Sequence, residues 1–210
     1  MQRMPARIGD PVAAIDTPAL CVDLEPFERN LARMADATKG IRLRPHAKSH
    51  KCATIARAQL ARGAVGICCQ KTDEAAAFVD AGIRDVLVTN EVVGAAKAAR
   101  LAALARSATV GVLVDAATAV ATLSDAASHA GARLDVYVEV DVGANRCGVP
   151  AGPKVLELAR AVSRAPGLRL RGLQAYQGAA QHLRKPAERA AATASAAADA
   201  RRMRELLVDA

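Results

Sequence analysis

Short apolar runs alternate with longer amphipathic stretches along most of the chain. The short runs are rich in β-branched residues, as buried strands are, whereas the longer stretches repeat their apolar positions with the period of a helix. The pattern predicts strands over residues 19–22, 41–44, 65–69, 85–88, 110–114, 134–141 and 168–175. It predicts helices over residues 25–39, 50–62, 72–82, 92–105, 116–130, 153–164 and 184–208.

The helices between successive strands indicate right-handed crossovers and a parallel sheet, either an open doubly wound sheet or a (β/α)8 barrel. No GxGxxG fingerprint follows a predicted strand, and the glycine-bounded segment 143–148 lacks the Lys-Ser/Thr pair of a phosphate-binding loop. The sequence therefore favours an α/β fold of the TIM-barrel type, as one incomplete barrel domain over residues 1–210 with about six β/α units. Because an uncovered sheet edge favours aggregation, we expect the chain to be the front part of a longer protein.

Polar side chains follow the predicted strands at the points where the strands end. They are His46 and Lys48, Gln70, Thr89 and Asn90, Asp115, Asp141 and Arg146, and Gln174 and Tyr176. The carboxyl ends of parallel barrel strands meet at one face, and the active sites of such barrels lie there. We therefore expect a functional site at this edge of the sheet.

Composition narrows the range of partners. The net charge is +8, but the basic residues are spread along the chain, and only two tyrosines and two phenylalanines could stack on bases, so we expect no nucleic-acid partner. No apolar run is long enough to span a membrane and the first residues lack a signal-peptide core, so we expect a cytoplasmic protein with no membrane partner. The five cysteines have no CxxC spacing, which indicates neither a disulfide framework nor a zinc ribbon.

The segment IRLRPHAKSHK, residues 41–51, places Lys48 between two of the four histidines. A lysine at the mouth of a barrel is expected to be partly desolvated among cationic neighbours, which favours a neutral amine able to form a Schiff base with an aldehyde. The alternative is a solvated lysine in a basic loop, and spacing alone leaves both open. His46 and His50 are four residues apart, but the HExxH glutamate is missing, so structural or orienting roles are expected and no metal ligand is assigned.

Three later residues are candidates for ligand binding. Arg146, in the loop after a strand, can bind an oxyanion by charge-assisted hydrogen bonds, or it is a surface arginine. Tyr176, after the last strand, can stack on a flat ligand. His182 can act as a general acid or base, or it caps the start of the last helix.

Six segments in order resemble the D-threonine aldolase and D-serine dehydratase-like family. They are TPALCVDL (17–24), RPHAKSHK (44–51), GAVGICCQKTDEA (63–75), DVLVTNEVVG (85–94), VEVDVGANRCGV (138–149) and GLQAYQGAAQHL (172–183). The resemblance runs from about residue 10 to the end. It implies a fold-type III enzyme dependent on pyridoxal 5'-phosphate (PLP), with a barrel of the alanine racemase N-terminal type.

The resemblance also implies roles for individual residues. Lys48 matches the lysine that holds PLP, and Arg146 matches the arginine near the phenolic oxygen of the cofactor ring. Tyr176 matches the tyrosine that packs on or hydrogen-bonds the cofactor. Gln70 and Asn90 are expected to line the same pocket.

The implied reaction is carried out on D-3-hydroxy amino acids, with His182 matching a histidine near the substrate. Retro-aldol cleavage of D-threonine-like substrates to glycine and an aldehyde is the first interpretation. A D-serine or 3-hydroxy-D-aspartate dehydratase, a racemase, a non-catalytic PLP-binding protein and an inactive truncated product are the alternatives. The resemblance further implies homodimers, although it leaves the oligomeric state of these 210 residues open. It also implies later phosphate-binding segments, a β-rich domain and a divalent metal held by a histidine and an aspartate near the C-terminus, and these 210 residues contain none of these three.

Overall fold

A parallel β-sheet flanked by helices is the centre of the computed structural model, which describes residues 5–208. Its strands are β1 Ile67–Cys69, β2 Asp85–Glu91, β3 Thr109–Val114, β4 Leu134–Asp141, β5 Val149–Pro150 and β6 Leu168–Gln174. The helices are α1 Leu24–Ala37, α2 Ala53–Leu60, α3 Thr72–Asp80, α4 Ala95–Leu104, α5 Ala117–Ala130, α6 Pro153–Arg164 and α7 Pro186–Val208. Two short 3-10 helices cover Val12–Ala14 and Gly178–His182. Between residues 5 and 208, no helix combines the length and the apolar character needed to cross a bilayer.

The chain divides after Ile41 into two compact units. The first unit contains α1, which begins after Asp23 because the Asp23 carboxylate accepts a hydrogen bond from the backbone amide of Glu25 at 3.1 Å. The second unit begins at Arg42 and contains the whole sheet with the other six helices.

The strands lie side by side in nearly the order in which they occur in the chain. β1 pairs with β2, β2 with β3, and β3 with β4, all in parallel. β6 then pairs with β4 along six residues, while the two-residue β5 pairs only with the carboxyl end of β4. A doubly wound sheet reverses its strand order at a switch point, whereas a barrel keeps the chain order. The topology therefore confirms the predicted barrel-type arrangement.

The hydrophobic core lies between one face of the sheet and the helices. Alternate strand residues face the helices and are almost fully buried; they include Ile67, Val88, Val112, Val136 and Val138. Helix residues such as Leu101, Leu123 and Val162 pack against them. Because successive strand residues point to opposite faces, the intervening residues line the inner face of the sheet.

Ion pairs occupy the amino end of that inner face. The Arg44 guanidinium donates two hydrogen bonds to the Asp85 carboxylate, at 2.8 and 3.0 Å. The Arg169 guanidinium likewise binds Asp135 at 2.7 Å, and Asp135 is only 5% exposed. A Cβ on Gly66 would lie 2.4 Å from the Asp85 carboxylate, so a glycine is required beside this pair. The amino end is therefore filled by protein groups, and the carboxyl end is the place for a site.

Two predicted strands are wrong in detail. Residues 19–22 pair with no strand among the described residues, because a short apolar run does not form a strand without a partner. Residues 41–44 are not a regular strand either. The segment still pairs with β1, since the Val65 amide donates to the Leu43 carbonyl at 2.9 Å and the Cys68 amide to the Pro45 carbonyl at 2.8 Å. Pro45 has no N–H to complete the ladder.

Candidate active site

The loop that carries Lys48 begins at the edge of β1. Beyond Pro45 the chain makes a single parallel bridge from His46 to Cys68, and the Ala47 amide donates to the Cys68 carbonyl at 2.8 Å. Lys48 follows, and its side chain is exposed rather than partly desolvated as expected, since it stands on a loop beyond the last paired residue. The loop closes where the Lys51 amide donates to the Ala47 carbonyl at 2.8 Å.

The two lysines of this loop differ in their surroundings. The Lys51 ammonium forms an ion pair with the Glu74 carboxylate, and Lys51 adopts a left-handed backbone conformation with φ 46°. Burial acts to raise the pKa of Glu74, but the hydrogen bonds from Lys51 and from the Gln70 amide outweigh it, and the pKa is lowered. No carboxylate between residues 5 and 208 pairs with the Lys48 amine. Lys48 is therefore the lysine of the motif whose amine is available.

His46 ties the Lys48 loop to β2. Its Nδ1 accepts a hydrogen bond from the Lys48 amide at 3.2 Å, and its Nε2 lies 2.9 Å from Oγ1 of Thr89. The Thr89 hydroxyl also donates to the Cys69 carbonyl, at 3.2 Å. Burial lowers the pKa of His46, and the positive charge of Lys48 lowers it further.

A β-bulge brings Thr89 and Asn90 to this place. Val88 pairs with Val112 and Glu91 pairs with the next residue of β3, so Thr89 and Asn90 have no partner on β3. The side-chain amide of Asn90 instead donates to the backbone carbonyl of Gln70 at 3.3 Å. The structure thus places Gln70 and Asn90 side by side at the carboxyl ends of β1 and β2, and such bulges often redirect side chains next to active sites.

Arg146 and Tyr176 come together at the ends of β4 and β6. The guanidinium carbon of Arg146 lies over the Tyr176 ring, 5.1 Å from its centre, which is a cation–π contact. The loop that carries Arg146 is fixed at its start, where the Asp141 carboxylate accepts hydrogen bonds from the amides of Gly143 and Asn145 at 2.9 and 3.0 Å. At its end the Gly148 amide donates to Asp115 at 3.2 Å.

Two glutamates beside Arg146 form a carboxyl pair that the sequence did not reveal. Glu139, on the inner face of β4, is 4% exposed. Burial raises the pKa of Glu139 to about 8, with help from the neighbouring Glu91 carboxyl, while Arg146 acts in the opposite direction. Burial and Glu91 also raise the pKa of the Cys147 thiol. A glutamate among the valines of a predicted strand was the signal that could have identified Glu139.

His182 and His50 lie apart from these contacts. His182 is the exposed last residue of the 3-10 helix after β6, and its side chain forms no hydrogen bond with any of the described residues. The first residue of that helix, Gly178, lies so close to the Tyr176 ring that a Cβ there would be 2.5 Å from it. His50 accepts a hydrogen bond from the Cys52 amide at 3.1 Å and packs edge-on against Phe78. His46 and His50 therefore serve different neighbours.

Comparisons with known proteins agree with this architecture. A family model described as alanine racemase, N-terminal domain, matches residues 22–209. The chain is 52% identical over 206 residues to a D-threonine aldolase of Arthrobacter, covering 97% of this chain and 54% of the relative. It is 48% identical over 184 residues to a 3-hydroxy-D-aspartate aldolase of Paracoccus denitrificans, covering 86% of this chain and 48% of the relative. The chain thus spans about half the length of these curated relatives.

A solved structure supports the same conclusion. The crystal structure of D-threonine aldolase from Filomicrobium marinum superimposes with a TM-score of 0.96 at 52% identity, covering 99% of this chain and 57% of that one. The resemblance read from the six motifs and the predicted barrel fold, present as an incomplete barrel, are both confirmed.

Proposed function

We propose, from the premise that this chain belongs to the alanine racemase N-terminal domain family, that it is the PLP-binding barrel of a lyase acting on D-3-hydroxy amino acids. The first choice of reaction is retro-aldol cleavage of D-threonine-like substrates to glycine and an aldehyde. Two relatives that are 52% and 48% identical to this chain over the aligned residues are aldolases of such compounds, which supports the substrate class.

The available amine of Lys48 is the observation that carries this proposal. It stands at the carboxyl edge of the sheet without a carboxylate partner among residues 5–208, whereas the amine of Lys51 is held by Glu74. A lysine amine is the group that bonds the aldehyde of PLP. The donor set at this edge therefore fits the cofactor, and Lys48 would hold it.

Arg146 and Tyr176 supply the complementary groups. An aromatic ring packs against a flat heterocycle, and a guanidinium binds an oxyanion with directed N–H donors. Their mutual contact at 5.1 Å keeps the two side chains in one arrangement, in which Tyr176 would pack on the cofactor and Arg146 would bind its phenolic oxygen. Gln70 and Asn90 would line the same pocket with their amide groups.

When bound, PLP withdraws electrons from the substrate and stabilises the negative charge left at Cα. His182 would take the proton of the β-hydroxyl group on an imidazole nitrogen, so that the Cα–Cβ bond breaks and the aldehyde leaves. The short helix that carries His182 begins beside the Tyr176 ring, which supports this role. The proton taken up by His182 would then return to Cα to give glycine, and Lys48 would hold the cofactor between turnovers.

Attachment of PLP tests the proposal first. We expect borohydride treatment of the chain with PLP to label Lys48, as read by peptide mass spectrometry, and Lys48→Ala to remove this label. Lys51→Ala is the matched control, because it removes a neighbouring ammonium that is already paired. Labelling that persists in Lys48→Ala at the wild-type level contradicts the assignment of the lysine.

Product analysis tests the reaction. With PLP and a divalent cation, we expect a protein in which this barrel is joined to the later segments that the resemblance implies to release glycine and acetaldehyde from D-threonine and none from L-threonine. Pyruvate and ammonia from D-serine, without glycine from D-threonine, would assign the dehydratase instead. Replacement of His182 by asparagine is expected to lower kcat while Lys48 is still labelled, since the cofactor is held by other residues.

A further inference from the structure

The hydrogen bonds around His46 allow only one form of its imidazole. Nδ1 faces the amide N–H of Lys48, so Nδ1 must be the unprotonated acceptor. The Thr89 hydroxyl donates its only hydrogen to the Cys69 carbonyl, so its oxygen must accept a hydrogen bond from Nε2 of His46. His46 therefore carries its proton on Nε2 and is neutral, with both ring nitrogens satisfied.

This arrangement makes a continuous chain of hydrogen bonds from β1 through β2 to the Lys48 backbone. The Cys69 carbonyl holds the Thr89 hydroxyl, which holds His46, which in turn holds the Lys48 amide. Thr89 belongs to the bulge of β2, so its position is set by the sheet rather than by the loop. We propose that His46 is a positioning residue that fixes the Lys48 backbone through Nδ1 and thereby presents the Lys48 amine to its ligand, an inference that rests on the proposed function.

The charges around His46 support its neutral form. Burial and the ammonium groups of Lys48 and Lys51 lower its pKa, while Glu74 and the side chain of Gln70 act in the opposite direction. A second proton would place an N–H on Nδ1, facing the N–H of Lys48, and two donors cannot share a hydrogen bond. Protonation of His46 is therefore expected to release the Lys48 loop.

Two conservative variants separate the two bonds of the imidazole. Asparagine places its side-chain oxygen where Nδ1 stands, so His46→Asn can keep the bond from the Lys48 amide while losing the bond to Thr89. Glutamine places its side-chain nitrogen where Nε2 stands, so His46→Gln can keep the bond to Thr89 while losing the bond from Lys48. A role confined to packing would not distinguish the two variants in this way.

Amide hydrogen exchange at Lys48 is the direct test, because it needs no cofactor. We expect the Lys48 amide to be protected in the wild type and in His46→Asn, and to exchange about tenfold faster in His46→Gln, the factor that corresponds to about 1.4 kcal/mol for one hydrogen bond. Nitrogen-15 spectra of the imidazole are expected to show the Nε2–H form. Equal exchange in the two variants, or an Nδ1–H or doubly protonated imidazole at neutral pH, would overturn the proposal.

The rate of PLP attachment connects this loop to the proposed function. At saturating PLP we expect the borohydride-trapped label on Lys48 to form about tenfold more slowly in His46→Gln and at nearly the wild-type rate in His46→Asn. If wild-type Lys48 takes no label, the proposed function fails while the exchange experiment still decides the role of His46. If wild-type Lys48 takes the label and His46→Gln takes it equally fast, the positioning role alone fails.

Discussion

Replacement of Glu139 by glutamine should make the chain more stable at high pH. Burial, Glu91 and Asp115 raise the pKa of Glu139 from the ordinary 4.5 to about 8, and the attraction of Arg146 does not compensate. Between these two pH values the folded state keeps a proton that the unfolded state has released. The free energy of unfolding therefore falls as the pH rises through this interval, and it is constant again above pH 8.

The size of the effect follows from the shift in pKa. One pKa unit corresponds to about 1.36 kcal/mol, so the shift of Glu139 from 4.5 to about 8 sets an upper limit of about 5 kcal/mol. Because this pKa belongs to a carboxyl that interacts with its neighbours, the expected effect is about 2 to 5 kcal/mol. Glutamine cannot ionise, and its amide can still donate to Glu91. We expect the stability of Glu139→Gln relative to the wild type to rise by this amount between pH 5 and pH 8.5, a range that spans most of the interval.

Urea titrations at intervals across this pH range measure the difference. Glu157→Gln on α6 is the matched control, since Glu157 is exposed and its loss is expected to change the stability by the same small amount at every pH. A difference between Glu139→Gln and the wild type that does not vary with pH would refute the reasoning, because it would mean that the buried carboxyl ionises as freely as one in the unfolded chain.

Two further predictions concern the framework of the site. Gly148→Ala is expected to lower the free energy of unfolding by about 2 kcal/mol or more, since its Cβ would lie 2.7 Å from the backbone nitrogen of Asp141 at a φ of 96°. Gly131→Ala, with a φ of 59° and no atom within 4 Å, should cost only about 1 kcal/mol, and equal urea midpoints for the two variants would contradict the clash. Asp85→Ala leaves the Arg44 guanidinium, 19% exposed, without its carboxylate and should cost about 3 kcal/mol by the same measurement. A loss below about 1 kcal/mol would mean that the pair acts as an exposed one.

The regular part of the fold could be predicted from the sequence because its strands are buried on the helix side. The predicted strand 134–141 is the observed β4, in which residues facing the helices alternate with residues of the inner face. The pattern fails where pairing is decided by single atoms. Pro45 interrupts the hydrogen-bond ladder beside β1 because it has no backbone N–H. β5 has only two residues, which are too few to show a periodic pattern.

The candidate site likewise contains residues that the sequence predicts and contacts that it does not predict. Residues at strand ends, such as Gln70 and Asn90, could be predicted because parallel strands bring their carboxyl ends together. The pairing of Glu91 with Glu139 could not, because the two residues lie on strands separated by β3 and their approach depends on the register of three strands. The hydrogen bond between His46 and Thr89 likewise depends on the bulge of β2, and the sequence pattern does not predict this bulge.

The bulge of β2 also links the Lys48 loop mechanically to the Arg146 loop. Three consecutive residues of β2 contact opposite sides of the site. Thr89 and Asn90 contact β1 and the Lys48 loop, whereas Glu91 pairs with β3 and lies near Glu139 of β4 and the Arg146 loop. A change in the bulge would therefore displace the Lys48 amine and the Arg146 guanidinium together. Engineering that aims to alter one side alone should leave the length of this segment intact and change side chains outside it.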